Sequence, residues 1–293
     1  MKVEAECAAC IISRASAELI EATTNPALRF RAMSELLRLL TKEFRPTAVP
    51  ADLGTKRDRL IKRITGNSDP YKRIKKISNE KALKLLSYAR KLVDEGYTQQ
   101  DRFKKACLCA IVGNTMEFDI PAHKFSFNSL KKSLRESGRD LVVDDTIKIY
   151  ELAKRAESIL YLTDNAGEIV FDTLLVEQLK NMGLKVIVGV KGAPIINDAT
   201  LEDADASGMS KIADRIITTG TDAVGLAPKE ASPEFLETYN SVNMVFAKGM
   251  GYAETLTEYK LSRPHVLLFR AKCNPVANFF GIAKEKNVAK LML

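Results

Sequence analysis

Five short apolar runs in the second half of the chain constrain its fold more than any other feature. Each has five to seven residues, is rich in β-branched side chains, and is bounded by glycine or polar residues, so it is too short for a helix. The runs occupy residues 158–163, 184–190, 215–219, 243–248 and 265–271. Amphipathic stretches separate them, and this alternation predicts βαβ units with a mostly parallel sheet that helices cover on both faces.

The first half of the chain has a helical pattern instead. Apolar residues recur three and four positions apart at residues 10–19, 28–40, 60–64, 74–93 and 103–112. Proline, glycine and Asx turn residues separate these segments, and one more helix is expected at about residues 144–155. We therefore predict an α/β protein with an N-terminal helical domain over residues 1–156. A C-terminal three-layer α/β domain with a mostly parallel sheet would follow over residues 157–293.

Length and composition narrow the class of protein. With 293 residues, 46% of them hydrophobic, the chain can bury a substantial core without disulfides. No apolar run approaches the roughly 18 residues that span a bilayer, and the N-terminus is acidic where a signal peptide would be basic. The five cysteines, an odd number, do not indicate a secreted disulfide framework, so we expect a cytoplasmic protein with no membrane partner.

The net charge of +8 is unevenly distributed along the chain. Residues 1–155 hold 31 Lys and Arg against 20 Asp and Glu, a net +11, whereas residues 156–293 hold 14 against 17, a net −3. Such a basic half is suited to a nucleic-acid backbone or to small phosphorylated molecules. Its charges alternate with apolar residues at helical spacing, which favours an ordinary solvated helix face and makes nucleic acid the weaker interpretation.

Glycines and charged or amide side chains follow each predicted strand. Because ligands bind beyond the carboxyl ends of the strands in open parallel sheets, we expect these positions to converge. The residues concerned are Asp164, Asn165 and Glu168 after the first strand, Asp198 after the second, Gly220 after the third, Lys248 and Gly249 at the fourth, and Lys272 after the fifth. Their convergence predicts one site with small residues for close approach and two lysines for positive charge.

The side chains at these strand ends favour oxygen ligands. The chain has only two histidines, and His265 begins a strand, so neither a His-centred triad nor a His-rich zinc site is supported. Asp164, Asn165 and Asp198 offer the hard oxygen atoms that magnesium, manganese and similar cations bind. Lysines at the same edge would neutralise a phosphate that bridges such a cation. Asp164 also has a simpler interpretation, in which it caps the following helix.

Two other kinds of site fit the strand ends less well. The glycines at residues 189–192 and 249–251 lack the G-x-G-x-x-G spacing directly after the first strand, which argues against a dinucleotide fold. An aspartyl nucleophile at Asp164 would usually have a second acid two residues further on, where this chain has Ala166.

Eight motifs give the chain a resemblance to a known family. They are CAAC at 7–10, SDPYKRIK at 69–76, GNTMEFD at 113–119, DNAGEIVFD at 164–172, INDAT at 196–200, TGTDAVG at 219–225, KGMGYAETL at 248–256 and RAKC at 270–273. As a set they resemble the damage-control phosphatases, a metal-dependent family long classed as a domain of unknown function. DNAGE, followed 34 residues later by the aspartate of NDAT, is the most discriminating pair.

The resemblance implies an activity and assigns roles to residues. Asp164, Asn165 and Asp198 would be the metal ligands and Lys272 would meet the substrate phosphate, which makes these four the predicted catalytic set. The predicted substrate-binding set is Asn114, Glu168, Gly220, Lys248, Gly249 and Lys272. The implied reaction is hydrolysis of small phosphorylated metabolites, such as sugar phosphates, nucleotides or damaged side products. The implied metal is manganese, nickel, cobalt or magnesium.

Two departures from the family pattern concern substrate contacts. Tyr252 stands where the family usually has Asn after KG-x-G, and Ile120 interrupts the usual GN-x-x-DFG. Neither departure changes one of the three implied metal ligands, so we expect an effect on substrate specificity and not on metal binding. Asn114 has two open interpretations, a turn residue or a substrate contact.

The remaining polar residues have mostly structural interpretations. Cys7 and Cys10 form a CxxC in the first helix that resembles the mark of the microbial branch of the family, while Cys107 and Cys109 favour buried thiols over a zinc site. We expect Glu168 or Asp172 to be a first-turn helix acid.

Two rival functions stay open at this stage. One is a non-enzymatic nucleic-acid-binding module that uses the basic half, and the other is a nucleotide-binding transferase on the same sheet. The sequence does not select the substrate, the physiological metal or the oligomeric state.

Overall fold

The computed structural model describes residues 1–113 and 127–293, which form twelve α-helices around a seven-stranded sheet. The helices are α1 (Glu6–Ala22), α2 (Pro26–Glu43), α3 (Pro50–Thr65), α4 (Lys72–Asp94), α5 (Gln99–Gly113), α6 (Phe127–Glu136), α7 (Thr146–Ala153), α8 (Glu168–Asn181), α9 (Leu201–Ser207), α10 (Pro233–Ser241), α11 (Gly249–Leu256) and α12 (Asn274–Phe280). The strands are β1 (Leu141–Asp144), β2 (Ser158–Leu162), β3 (Lys185–Val190), β4 (Arg215–Thr218), β5 (Met244–Lys248), β6 (His265–Arg270) and β7 (Asn287–Met292). No helix in the described ranges is long and apolar enough to cross a membrane.

The structure confirms the predicted fold class and its elements. The five apolar runs form β2 to β6, and the five predicted helical segments lie within α1 to α5. The pattern did not predict β1 or β7. β1 has four residues that alternate between half-buried and exposed at a sheet edge, and it falls in the half expected to be helical. β7 carries a lysine and an asparagine in its six residues, so neither strand has a continuous apolar run.

The strand order places a crevice beside the central strand. The order across the sheet is β1-β7-β6-β5-β2-β3-β4, and all pairs are parallel except β6 with β7. From β2 the chain runs outward through β3 to β4, then returns to build β5 on the other side of β2. A ligand crevice is expected at such a switch point, beyond the carboxyl ends of β2 and β5.

Side chains alternate along the strands and supply two cores, one on each face of the sheet. Ile159 and Tyr161 of β2 point into a core that α4, α5 and α8 cover. Leu160 and Leu162 point into the opposite core, which α10, α11 and α12 cover. Helices on both faces bury the strands β2, β3, β5 and β6 almost completely, which explains why their runs are apolar.

Helices α1 to α3 form a third hydrophobic cluster of their own. Helices α4, α5 and α7 precede residue 157 as well, but their apolar side chains belong to a core of the sheet. The division into residues 1–156 and 157–293 stays a prediction. Helices α3 and α4 contact the loops that follow β2, β3 and β4, and they position the carboxyl edge of the sheet.

Candidate active site

The switch point between β2 and β5 brings Asp164 against the first turn of α11. Gly249, with a φ of +83°, occupies this turn. A Cβ added to Gly249 would lie 1.9 Å from Asp164 Oδ2 and 2.2 Å from its Cγ. Glycine is therefore required here, both for its left-handed backbone and for the space that the carboxylate fills.

The loop that follows β3 folds back onto the residues that follow β2. Asn165 and Asp198 form an isolated antiparallel bridge. The Ala199 N–H donates to the Asp164 carbonyl oxygen at 2.8 Å, and the Ala166 N–H donates to the Asn197 carbonyl oxygen at 2.9 Å. The predicted metal ligands Asp164 and Asn165 thus lie beside Asp198, which follows Asp164 by 34 positions in the chain. Their role as ligands stays a prediction.

The amide of Asn165 links two carboxylates of the site. Its Nδ2 donates to Asp164 Oδ2 at 3.0 Å and to Glu168 Oε1 at 2.7 Å. Glu168 begins α8, as expected for a first-turn acid, and Gly167 occupies the N-cap position. The capping interpretation of Asp164 is therefore wrong, because the helix begins four residues beyond it.

Helix α4 holds the start of α8 in place. Asn79 Oδ1 accepts a hydrogen bond from the Gly167 N–H at 2.6 Å, and Asn79 Nδ2 donates to Asp203 Oδ1 at 2.9 Å. Gly167 has a φ of +82°, and a Cβ there would lie 3.0 Å from the Ser78 Cβ. Asn79 was not predicted from sequence, since a polar residue within a helix gives no signal of what it will face.

Several buried carboxyl groups are crowded together at the site. Burial, together with the charges of Glu168 and Asp198, raises the pKa of Asp164 well above its ordinary value. Burial raises the pKa of Glu168 despite the opposing charges of Lys248 and Lys272, and burial raises that of Asp198 to about 6 although Lys191 opposes it. Crowded buried carboxylates of this kind are stabilised by a bound cation.

The donor set fits a hard divalent cation. Asp164, Asn165 and Asp198 offer two carboxylates and an amide oxygen, which is the chemistry that magnesium and manganese prefer. Among the described residues no group of three or more His, Cys, Asp and Glu side chains is arranged as a metal site. The fit therefore depends on the Asn165 amide as the third ligand.

Lys248 lies beneath the predicted ligands, inside the protein. Its side chain is 0% exposed, with Nζ 2.9 Å from Asp172 Oδ1 and 3.4 Å from Glu168 Oε2. Burial by itself would lower the pKa of Lys248, but the charges of Asp172 and Glu168 outweigh it and the pKa is raised. The Tyr161 hydroxyl also donates to Asp172 Oδ1, at 2.8 Å. The structure thus ties Lys248 to α8, and its predicted contact with substrate stays untested.

Lys272 lies at the rim of the same site. It follows β6, is half-buried, and its backbone N–H donates to Met250 Sδ at 3.3 Å. Its positive charge opposes the rise in the pKa values of Asp164 and Glu168, which places Lys272 near these carboxylates. Its position suits the predicted phosphate contact.

Lys191 is a buried part of the site that sequence reasoning missed. Its Nζ lies 3.6 Å from Asp198 Oδ2 and donates to the carbonyl oxygens of Ala223 and Gly225 at 2.8 and 2.9 Å. Burial lowers the pKa of Lys191, while the charge of Asp198 opposes the shift. Its place directly after β3, like that of Lys272 after β6, was the available signal.

Tyr252, one of the two departures from the family pattern, packs beside Lys191. Its ring is 2% exposed, and Lys191 Nζ lies 4.9 Å from the ring centroid. Burial and the charges of Asp198 and Asp164 raise the pKa of Tyr252. The phenol therefore belongs to the surroundings of the predicted ligands and stays protonated at neutral pH.

The remaining predicted residues are less central, or lie outside the described residues. Asn114 and Ile120 fall in the latter group. Gly220, with a φ of +77°, packs its backbone against Ser232, where a Cβ would be 2.5 Å from the Ser232 Cβ. This contact explains why glycine is needed at position 220 without any role in substrate binding. The predicted contact of Gly220 with substrate stays untested.

The cysteines divide into two groups. Cys107 and Cys109 are buried free thiols, as expected, and burial raises the pKa of both. Cys7 is buried and Cys10 exposed at the start of α1. Burial raises the pKa of Cys273 to about 11, and Asn274 Nδ2 donates to Glu6 Oε2 at 3.2 Å, so the start of α1 lies beside this segment.

Fold and site together define an α/β protein whose candidate ligand site lies at the switch point of a doubly covered sheet, among carboxylates and lysines. The family model for the damage-control phosphatase ARMT1-like domain matches residues 3–288. The chain belongs to this family of damage-control phosphatases. Its general class of function is accordingly that of a phosphatase of metabolite repair.

Relatives and a solved structure match over nearly the full length. A damage-control phosphatase of Archaeoglobus fulgidus is 34% identical and is covered over 100% of both chains. A damage-control phosphatase of Pyrococcus horikoshii is 36% identical over 97% of this chain and 96% of its own. An uncharacterised protein of Methanocaldococcus jannaschii is 37% identical over 98% and 95%. The crystal structure of a DUF89 family protein from Pyrococcus horikoshii superposes with a TM-score of 0.85 at 35% identity and covers 99% of this chain and 98% of that one.

Proposed function

We propose that this phosphatase is a phosphomonoester hydrolase that depends on a divalent cation and acts on small phosphorylated metabolites. Asp164, Asn165 and Asp198 would hold the cation, with manganese, nickel, cobalt or magnesium as candidates. The observation that carries the proposal is the bridge between Asn165 and Asp198, which collects two carboxylates and an amide beside the half-buried Lys272. A cytoplasmic location belongs to the proposal as well.

The cation, when bound, would neutralise phosphate charge and lower the pKa of a nearby water. The chain's own residues perform the remaining tasks. The Asn165 amide orients the carboxylates of Asp164 and Glu168, to which it donates hydrogen bonds. Lys272 would bind the phosphate and stabilise the charge that develops on it during transfer to water.

Two buried features keep this arrangement rigid. Gly249 lets the backbone of α11 approach Asp164, and Lys248 anchors the first turn of α8 through Glu168 and Asp172. A preformed site of this kind avoids the cost of reorganising charged groups during the reaction.

The test is a screen of phosphorylated metabolites with the purified protein and added manganese, nickel, cobalt or magnesium. We expect release of inorganic phosphate that a chelator abolishes and that Asp164→Ala lacks. Full activity in chelator, or unchanged activity of Asp164→Ala, would contradict the proposal. Transfer of phosphate to a second substrate without its release would favour a transferase. A salt-dependent gel shift with DNA or RNA and no phosphatase activity would favour nucleic-acid binding.

A further inference from the structure

One face of α3 is hydrogen-bonded to the loops at the carboxyl edge of the sheet. Thr55, Asp58 and Lys62 lie three and four residues apart, so they share this face. Thr55 Oγ1 accepts from the Val224 N–H at 3.0 Å, and Asp58 Oδ1 accepts from the Ile196 N–H at 3.0 Å. Lys62 Nζ donates to the Pro194 carbonyl oxygen at 2.6 Å. The contact made by Asp58 is the one nearest to a predicted metal ligand.

Ile196 has a backbone conformation that needs external support. Its φ of +46° lies in the left-handed region, which a β-branched residue strongly avoids. Two residues later comes Asp198, whose N–H donates to the Ile195 carbonyl oxygen at 3.0 Å within the same turn. The direction in which the chain enters the bridge with Asn165 therefore depends on the conformation at Ile196.

Asp58 is built to hold that conformation. Its side chain is 0% exposed, and its Oδ2 lies 2.8 Å from Lys62 Nζ. The Ile196 N–H donates to the other oxygen, Oδ1, so one carboxylate oxygen is held by Lys62 while the other holds the loop. The loop at Ile196 is thus fixed from a different part of the chain, 138 residues away.

We infer that Asp58 is a positioning residue for Asp198. By holding Ile196 in the left-handed conformation, it keeps the Asp198 carboxylate beside Asn165. This inference rests on the proposed function, because it takes Asp198 as a ligand of the cation. Residues that support metal ligands in this way typically change metal affinity by about 10- to 100-fold when they are removed.

The experiment is calorimetric titration of Mn²⁺ into the full-length protein and its variants. We expect Asp58→Ala to weaken Mn²⁺ binding by about 10- to 100-fold. Asp58→Asn keeps Oδ1 as an acceptor for the Ile196 N–H, so its Kd should stay within about threefold of wild type. Adding Ile196→Gly to Asp58→Ala should restore most of the affinity, because glycine adopts the left-handed conformation freely.

Thr55→Val is the matched control. It removes the same kind of bond from the same face of α3, but its partner loop at Val224 carries none of the three predicted metal ligands. Its Mn²⁺ affinity should equal that of wild type. If Asp58→Ala does not fold, as judged by circular dichroism, Asp58→Leu replaces it, since leucine has a similar shape and no acceptor atom.

Two results would overturn the inference: wild-type Mn²⁺ affinity in the folded Asp58→Ala or Asp58→Leu protein, or failure of Ile196→Gly to restore affinity in that background. In either case a wild-type protein that binds Mn²⁺ would leave the proposed function standing. A wild-type protein that binds none of the four candidate cations would overturn the proposed function, and this inference with it.

Discussion

Gly249 lies directly against the carboxylate of Asp164, so closely that a Cβ would stand 1.9 Å from Oδ2. The two residues follow the neighbouring parallel strands β2 and β5, at the switch point of the sheet. Asp164 is a predicted ligand, and Gly249 determines whether its carboxylate has room. This contact makes the glycine part of the site although it carries no functional group.

Gly249→Ala should therefore disable the site. The methyl group would displace the Asp164 carboxylate, and the left-handed backbone would add strain, at a cost of about 1–3 kcal/mol in unfolding free energy. We expect kcat/KM to fall at least about 100-fold, measured by phosphate release and urea unfolding. The control is Gly54→Ala, where a Cβ would meet nothing within 4 Å and the helix should gain up to about 1 kcal/mol. Wild-type activity in Gly249→Ala would refute the argument.

Neutralising one predicted ligand should stabilise the metal-free protein while removing its affinity for the cation. Burial and the charges of Glu168 and Asp198 raise the pKa of Asp164, so ionising Asp164 inside the fold is costly. Asp164→Asn should therefore raise the Tm of metal-free protein, and Mn²⁺ should raise it no further. Thermal melts with and without Mn²⁺ measure both effects. A variant that melts lower than wild type without metal would contradict the cost of ionisation inferred for Asp164.

Lys272→Gln should separate phosphate binding from metal binding. The side chain is half-buried at the rim, so the fold should not depend on it. We expect Mn²⁺ affinity to change little, while inhibition by inorganic phosphate weakens and kcat/KM falls about 100-fold, as for loss of a charge-stabilising donor. The exposed Lys284→Gln serves as a control for charge alone. Unchanged inhibition by phosphate would exclude Lys272 as its binding partner.

Lys248→Met should destabilise the protein more than any surface lysine change. It would leave the carboxyl groups of Asp172 and Glu168 buried without the lysine ammonium group. Removing one partner of a buried ion pair costs about 3–5 kcal/mol in unfolding free energy. Adding Asp172→Asn should recover a large part of this loss, which a double-mutant cycle in urea would measure. If the double variant is no more stable than Lys248→Met, the ion pair is not the cause.

Stability should fall with rising pH because of Glu18. Burial, with a further contribution from the Asp58 carboxylate, raises the pKa of Glu18 from 4.5 to about 7, although Arg57 opposes the shift. Since the raised pKa favours the protonated acid in the folded state, its stabilisation is complete below about pH 4.5 and is lost as pH rises to about 7.

Between pH 4.5 and 8, the unfolding free energy of wild type should therefore fall by on the order of 3 kcal/mol more than that of Glu18→Gln. Urea titrations at several pH values measure this difference, and the exposed Glu80→Gln is the control that should follow wild type. If the unfolding free energies of wild type and Glu18→Gln changed in parallel with pH, the raised pKa of Glu18 would be contradicted.

The sequence alone determined five of the seven strands, the first five helices and the candidate residues of the site. Buried parallel strands must be apolar along their whole length, and packed helices must be apolar every three to four residues, so both patterns are local and can be recognised without a structure. The rule that ligands bind at the carboxyl ends of strands then predicts Asp164, Asn165, Asp198 and Lys272 as residues of the site.

Tertiary structure alone decided how these ingredients are arranged. Strand order, the bridge between Asn165 and Asp198, and the burial of Lys248 and Lys191 depend on contacts between residues far apart in the chain, which no local pattern encodes. The same is true of Asp58, an unremarkable acid within a basic helix until the fold places it beneath Ile196. Side-chain chemistry is a property of each residue, whereas distance and burial are properties of the folded chain.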